Sequence, residues 1–199
     1  MSVPLILASG SDMRSQLMRN AGLAYTVIIP RIDEQNIKDA LVAEGAHPRD
    51  IADALAEIKA RKVSSNYNDA MTIGCDQILS IDGSILSKPA SIDAARDQLR
   101  ALRAKRHMLL SAAVVYHEGK PIWRHVGQVR LRMRNVSDAY IDDYVDRNWD
   151  DIKSAVGSYK LESEGVRLFD SIEGDYFHVL GMPLLELLAF LTLRGVIDG

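Results

Sequence analysis

The stretch Pro4-Leu5-Ile6-Leu7-Ala8-Ser9-Gly10-Ser11-Asp12-Met13-Arg14 decides the fold class. Pro4 to Ala8 is a short continuous apolar run, which fits a strand buried on both faces. Ser9-Gly10-Ser11 breaks that run. Ser11 is then in place to cap a helix whose apolar face is Met13, Leu17, Met18 and Ala21, closed by Gly22. A strand passing through a tight turn into a helix is the repeating unit of α/β proteins.

The same alternation continues outward. Tyr25 to Ile29 reads as a second strand stopped by Pro30, and a helical pattern runs from Asp33 to Gly45 with Ile37, Leu41 and Val42 on one face. Pro48 stands near the start of another helix striped by Ile51, Leu55 and Ile58. Met71 to Ile81 is the most strand-like segment, and Asp82-Gly83 after it is a strong hairpin turn. Ser91 opens a helix carrying Ile92, Ala95, Leu99 and Leu102. Met108 to Tyr116 and Ile122 to Met133 read as strands joined at Glu118-Gly119, and Ser137 caps a helix with Ile141, Tyr144 and Val145. Val166 to Phe169 looks like a last strand. Pro183 starts a final helix that is apolar nearly all round, which implies full burial or a share in a dimer interface. Alternating elements with one antiparallel hairpin predict an α/β fold with a mixed sheet.

Composition narrows the function classes. The 199 residues carry 24 Lys and Arg against 27 Asp and Glu, a net charge of −3, with 47 % hydrophobic residues. No linker, low-complexity tract or repeat divides the chain, so a single domain over 1–199 is expected. A protein gripping nucleic acid through its phosphates needs a clustered basic surface, which this balance disfavours. The lone Cys75 allows no intrachain disulfide. The N-terminus has no basic leader-like region, and the most apolar stretch, Met182 to Leu193, is interrupted by Glu186 and too short for a bilayer. A cytoplasmic protein without membrane attachment is the expectation.

Several residues stand out as candidates for chemistry. The Ser9-Gly10-Ser11 junction, with Arg14 one helical turn on, combines free backbone N–H groups with a guanidinium fork, which suits an anion. The same turn with capping serines also occurs in α/β proteins generally. Asp76 lies inside an apolar strand, where a carboxylate must be paired, bound to a cation, or open to a cleft with a raised pKa. Asp33-Glu34 after a strand end suits either a helix start or a hard cation such as Mg²⁺. Lys59 borders its helix's apolar stripe, where a snorkelling role is also open. Ser87-Lys88-Pro89 holds a cation in a fixed turn. Arg130, Arg132 and Arg134 alternate with apolar residues as a solvated strand face would. The five histidines have no i, i+4 or other ligand spacing, so no zinc site is expected.

Taken together, Leu5 to Arg14 with Leu17, Ile32-Asp33-Glu34, Leu55-Ala56-Glu57-Ile58-Lys59-Ala60, Gly74-Cys75-Asp76, Lys88-Pro89, Gly174-Asp175-Tyr176 and Gly181-Met182-Pro183 resemble, in order, the motifs of Maf proteins. The resemblance spans residue 5 to about residue 190, and the combination is far more specific than any single motif. It implies a fold like that of the inosine triphosphate pyrophosphatases: an elongated mixed sheet flanked by helices, with a central cleft. It further implies cleavage of a nucleoside triphosphate between the α and β phosphates, a divalent metal cofactor (Mg²⁺ or Mn²⁺) and a homodimer. Residue by residue, Ser9, Ser11 and Arg14 would hold phosphates and Asp76 would accept the proton. Glu34, with Asp76, would bind metal, and Lys59 and Lys88 would meet the triphosphate charge.

Departures from the motifs bear on substrate. Where the dTTP- and UTP-cleaving relatives have a second arginine, a Thr after the catalytic Asp, and a Tyr-Gly-Ile-Gln-Gly motif, this chain has Met13, Gln77 and Gly157-Ser158-Tyr159-Lys160-Leu161-Glu162. The last two are similar to the subgroup that cleaves 7-methyl-GTP, so Met13, Gln77 and Glu162 are the specificity candidates. His178 replaces a usual Asn. A dTTP/UTP-type enzyme and a non-catalytic nucleotide-binding regulator of cell division are the alternative readings, the latter opposed by the joint presence of Asp76, Glu34 and Lys88.

Overall fold

The computed structural model describes residues 3–198; Met1 and Ser2, on which part of the no-leader expectation rests, and Gly199 lie outside them. Its strands are β1 (Leu5–Ala8), β2 (Thr26–Val27), β3 (Met71–Ile81), β4 (Ser84–Leu86), β5 (Arg106–His117), β6 (Lys120–Met133) and β7 (Phe169–Glu173). Its helices are α1 (Asp12–Asn20), α2 (Glu34–Ala43), α3 (Pro48–Ser64), α4 (Ile92–Leu102), α5 (Asp138–Ile152), α6 (Tyr176–Val179) and α7 (Leu184–Leu193). The strands form one mixed sheet in the order β2-β1-β3-β5-β6-β7, with β4 paired to β3. β1 runs parallel to both β2 and β3, whereas β4 and β7 pair antiparallel with β3 and β6. The α/β, mixed-sheet expectation is met. Among the described residues no helix is long and apolar enough to cross a membrane.

Local chemistry explains several element boundaries. Ser11, Ser91 and Ser137 each accept a hydrogen bond from the backbone N–H three residues on, satisfying an orphan donor of α1, α4 and α5. Both tight hairpins place two residues at positive φ, Asp82 and Gly83 after β3, and Glu118 and Gly119 after β5. That backbone matches the strands' twist and suits an Asp-Gly pair.

The chain divides into two compact units. The first comprises residues 1–77, 110–127 and 176–199. Its core is built from Leu5, Leu7, Leu17, Met18, Ile73 and Val115 together with Leu184, Leu187 and Leu191 of α7. That helix is nevertheless not wholly covered, since Leu185 and Leu193 are exposed. The expected strand Tyr25–Ile29 is reduced to two exposed residues, Thr26 and Val27. Helix α6 falls where no element was expected.

The second unit comprises residues 78–109 and 128–175. Arg96 and Arg100 of α4, and Arg103 at its C-terminal cap, meet Asp146, Asp142 and Asp138 of α5, each at 2.6 Å. Arg130, Arg132 and Arg134 are exposed, and Val129, Leu131 and Met133 between them are buried, as alternation predicts. The strand expected at Val166–Phe169 is instead a 3₁₀ turn, Glu164–Leu168, followed by β7. Gly165 fits so closely on the Lys160 backbone that no Cβ has room there, and Glu164 is held by Arg147 and Asn148. These contacts tighten the chain before it can extend.

His107 makes this unit sensitive to acid. Its ring is buried, with Nε2 2.8 Å from the Tyr159 hydroxyl and the Phe169 ring beside it. Burial pushes the imidazole down to about 4. On acidification the unfolded chain takes up this proton near pH 6.5, the folded protein not until about pH 4. Across that window the unfolded state binds more protons, so stability is present above it and is lost as pH falls through it. The expected loss between pH 7 and 4 is about 3 kcal/mol. Denaturant titrations should show the wild type losing that much more than His107→Phe over this range; parallel pH curves would contradict it.

Candidate active site

β3 carries the central side chain. Asp76 is only 4 % exposed, and its Oδ1 lies 2.5 Å from Lys59 Nζ. Lys59 reaches it from α3, itself 6 % exposed, and also meets Glu34 Oε2 at 2.7 Å. Glu34 is the first residue of α2, and its neighbour Asp33 serves as the helix cap, accepting from Asn36 N at 3.2 Å. One ammonium therefore bridges two carboxylates that are 42 positions apart in the chain. Burial pushes the Asp76 carboxyl above the ordinary range, and Glu34 acts in the same direction; together they outweigh the lowering by Lys59 and Arg14.

This proximity depends on Gly74. A Cβ there would overlap the Ala56 carbonyl oxygen and stand 2.5 Å from Ala60 N, so α3 lies with its backbone directly on β3. Gly in a strand interior often marks such a backbone approach. Lys59, in the turn between Ala56 and Ala60, is thereby delivered to Asp76.

The β1–α1 junction adds donors from the same unit. Ser9 Oγ accepts from Ser11 N at 3.2 Å and from Arg14 Nη1 at 3.3 Å. The guanidinium also donates to the Cys75 carbonyl (Nη1, 3.0 Å) and to the Gly181 carbonyl (Nε, 2.8 Å). Arg14 is thus oriented by the backbone next to Asp76 and by the α6–α7 connection, two anchors with no local sequence signal. Ser11 Oγ caps α1 through Arg14 N at 3.4 Å. Cys75 itself is buried, which pushes its thiol up to about 11 and leaves it a packing residue.

Two of the specificity candidates lie here. Met13 is half-buried and packs against the unit's core. Gln77 Nε2 is 3.0 Å from each of three acceptors: Ser111 Oγ and the carbonyls of His178 and Val179. Its amide therefore braces α6 beside the strand.

Lys88 and Glu162 belong to the second unit. Lys88 is exposed in the irregular segment after β4, and Glu162 is exposed in a turn before the 3₁₀ segment. Gln98 joins their surroundings, a link not expected from sequence: its Nε2 donates to the Ser87 carbonyl (2.8 Å), and its Oε1 accepts from Ser158 Oγ (2.8 Å). Lys160, in the same motif, is paired with Asp151.

The ordering of these groups along the whole chain matches a described protein family, "Maf-like protein", over residues 4–193. The chain belongs to the Maf family. It is 63 % identical over 198 residues to a protein of Ruegeria pomeroyi named nucleoside triphosphate pyrophosphatase, with both chains covered fully. A Caulobacter vibrioides protein of the same name is 48 % identical over 194 residues, covering 98 % of this chain and 97 % of that one. A Brucella abortus protein named 7-methyl-GTP pyrophosphatase is 44 % identical over 199 residues, again with full coverage of both. Within this Maf protein, Ser9, Ser11, Arg14, Glu34, Lys59 and Asp76 share one compact unit, and their donors and carboxylates are the groups a phosphate-and-cation site needs.

Proposed function

We propose that this Maf protein hydrolyses a nucleoside triphosphate between the α and β phosphates, releasing the monophosphate and pyrophosphate, with Asp76 as proton acceptor. The observation that carries the reading is a buried, basicity-raised carboxylate bridged by Lys59 to a second carboxylate. A general base works best when its pKa is drawn toward the operating pH, and burial moves Asp76 that way. In the proposed complex, Ser9, Ser11 and Arg14 hold phosphate oxygens, while Lys59 and Lys88 offset the triphosphate's charge.

Glu34 and Asp76 are the proposed ligands of Mg²⁺ or Mn²⁺. Their fit rests on the donor set: two hard carboxylates already converge on one cationic centre, the Lys59 ammonium. When bound, such an ion supplies charge stabilisation at the phosphoryl oxygens. The same reading takes the chain as one catalytic domain, a cytoplasmic protein and a homodimer, supported in turn by the family match over residues 4–193, the lone buried Cys75, and the exposed Leu185 and Leu193 of α7. A screen of canonical and methylated nucleotides with Mg²⁺ or Mn²⁺ tests the activity, with pyrophosphate and monophosphate quantified separately. Release of orthophosphate without pyrophosphate would overturn the reading.

The preferred substrate in this reading is 7-methyl-GTP, with Met13, Gln77 and Glu162 setting the choice. The Brucella relative supports it by its name. So does the charge chemistry, because N7-methylation makes the purine cationic and a carboxylate suits it better than an arginine. Glu162 can also accept from the N1 and N2 donors of guanine, and Met13 offers a polarizable contact. Charge-assisted hydrogen bonds contribute roughly 1.5–3 kcal/mol. Glu162→Gln should therefore lower kcat/KM for 7-methyl-GTP about 10- to 100-fold and change that for UTP far less. An unchanged 7-methyl-GTP to UTP ratio would place specificity elsewhere.

A further inference from the structure

The histidines show no ligand spacing along the chain, yet the fold brings two of them together with a carboxylate. His125 of β6, His178 of α6 and Glu186 in the first turn of α7 bring ligand atoms within 4.8 Å of one another. All three lie in the first unit. His178 Nε2 is 3.2 Å from Glu186 Oε2, and His125 Nε2 is 3.5 Å from Glu186 Oε1.

We propose that His125, His178 and Glu186 form a zinc site, separate from the catalytic carboxylates, that braces the active site through α6. Zinc binds imidazole nitrogen and carboxylate oxygen at about 2.0–2.2 Å, so neighbouring ligands of a tetrahedral ion stand roughly 3.4 Å apart. Each imidazole nitrogen already stands near that spacing from one Glu186 oxygen, His178 from Oε2 and His125 from Oε1. Two neutral imidazoles and one carboxylate form a donor set that favours zinc over magnesium, which prefers oxygen.

The rings are held for the purpose by packing. Gly127 leaves the space that the His178 ring fills, since a Cβ there would overlap the ring. The Trp123 ring stacks on His125, at 15° between planes, and on Phe190 of α7. The His125 side chain keeps 38 % of its surface exposed, so solvent has access to it and can supply a fourth ligand.

The consequence of filling the site follows from the bonds around α6. The His178 carbonyl accepts from Ser111 Oγ at 2.6 Å and, with the Val179 carbonyl, from Gln77. The Gly181 carbonyl orients Arg14. An ion tying His178 and Glu186 to His125 would lock this connection onto β6, and with it the residues flanking Asp76 and the β1–α1 junction.

The test uses untagged protein stripped by chelator, in the Glu34→Gln background so that the proposed catalytic ligand set is disabled. Bound zinc after dialysis and thermal unfolding with and without zinc are the readouts. The expected result is one zinc per chain and a Tm increase of about 5–10 °C at a hundredfold excess over Kd. His125→Ala and Glu186→Gln should each weaken zinc binding at least about tenfold and, at the same zinc concentration, cut the shift to about half or less. His125 is half-exposed, so its replacement leaves the core intact. Failure to bind zinc, or binding and a Tm shift unchanged in His125→Ala, would overturn the proposal, whatever the outcome for nucleotide hydrolysis.

Discussion

Asp76→Asn should lower turnover by about 10²–10⁴-fold, roughly 3–5 kcal/mol of barrier, while leaving the fold and nucleotide affinity largely intact. The amide keeps the carboxylate's shape and can still meet Lys59, but it takes no proton from water. Loss of the charge should not unfold the protein, because burial already disfavours the ionised carboxyl in the folded state. Pyrophosphate release under saturating nucleotide measures the first effect, and calorimetric nucleotide binding with a thermal melt measures the rest. Retention of more than about a tenth of wild-type kcat would remove Asp76 from the role of base. Loss of binding together with turnover would make it chiefly a ligand-holding group.

Gly74→Val should be the most damaging single substitution for stability, costing more than about 4 kcal/mol. A clash with the far end of a flexible side chain can be relieved by moving that side chain. Here the obstruction is backbone: the Ala56 carbonyl and Ala60 N of α3. The helix must move off β3, and Lys59 moves with it, so Asp76 loses the ammonium that offsets its burial. The variant should melt at least about 8 °C below the wild type, since each kcal/mol is worth about 2–4 °C at this chain length. A melt within about 2 °C of the wild type would show that α3 can yield without cost. In that case turnover of the folded variant measures whether Lys59 still reaches Asp76.

The chain's local order was legible without a structure. β3 occupies Met71–Ile81, the range its apolar pattern marks, and Ser11, Ser91 and Ser137 cap the helices they precede. Asp82-Gly83 turns with both residues at positive φ, as that pair favours. These outcomes depend on neighbours a few residues apart, through backbone sterics, caps and side-chain period. Asp76 was conspicuous for a related reason: a carboxylate in an apolar run needs a partner or a shifted pKa, and it has both.

Which partner it takes is a different matter. Lys59 lies 17 positions before Asp76, and its place at the edge of an apolar stripe is equally that of a snorkelling lysine. Only the backbone contact of α3 on Gly74 selects between the two. Gln98 joining the Lys88 segment to Ser158, the Gly181 carbonyl on Arg14, and the convergence of His125, His178 and Glu186 have the same origin. The failed strand at Val166–Phe169 belongs with them in part, because the hold of Arg147 and Asn148 of α5 on Glu164, added to the local fit of Gly165 on Lys160, overrides a strand-like run. Periodicity and capping act over one or two turns of chain, so they determine elements and their faces. A site is assembled where packed elements cross, and that depends on how closely two backbones can approach.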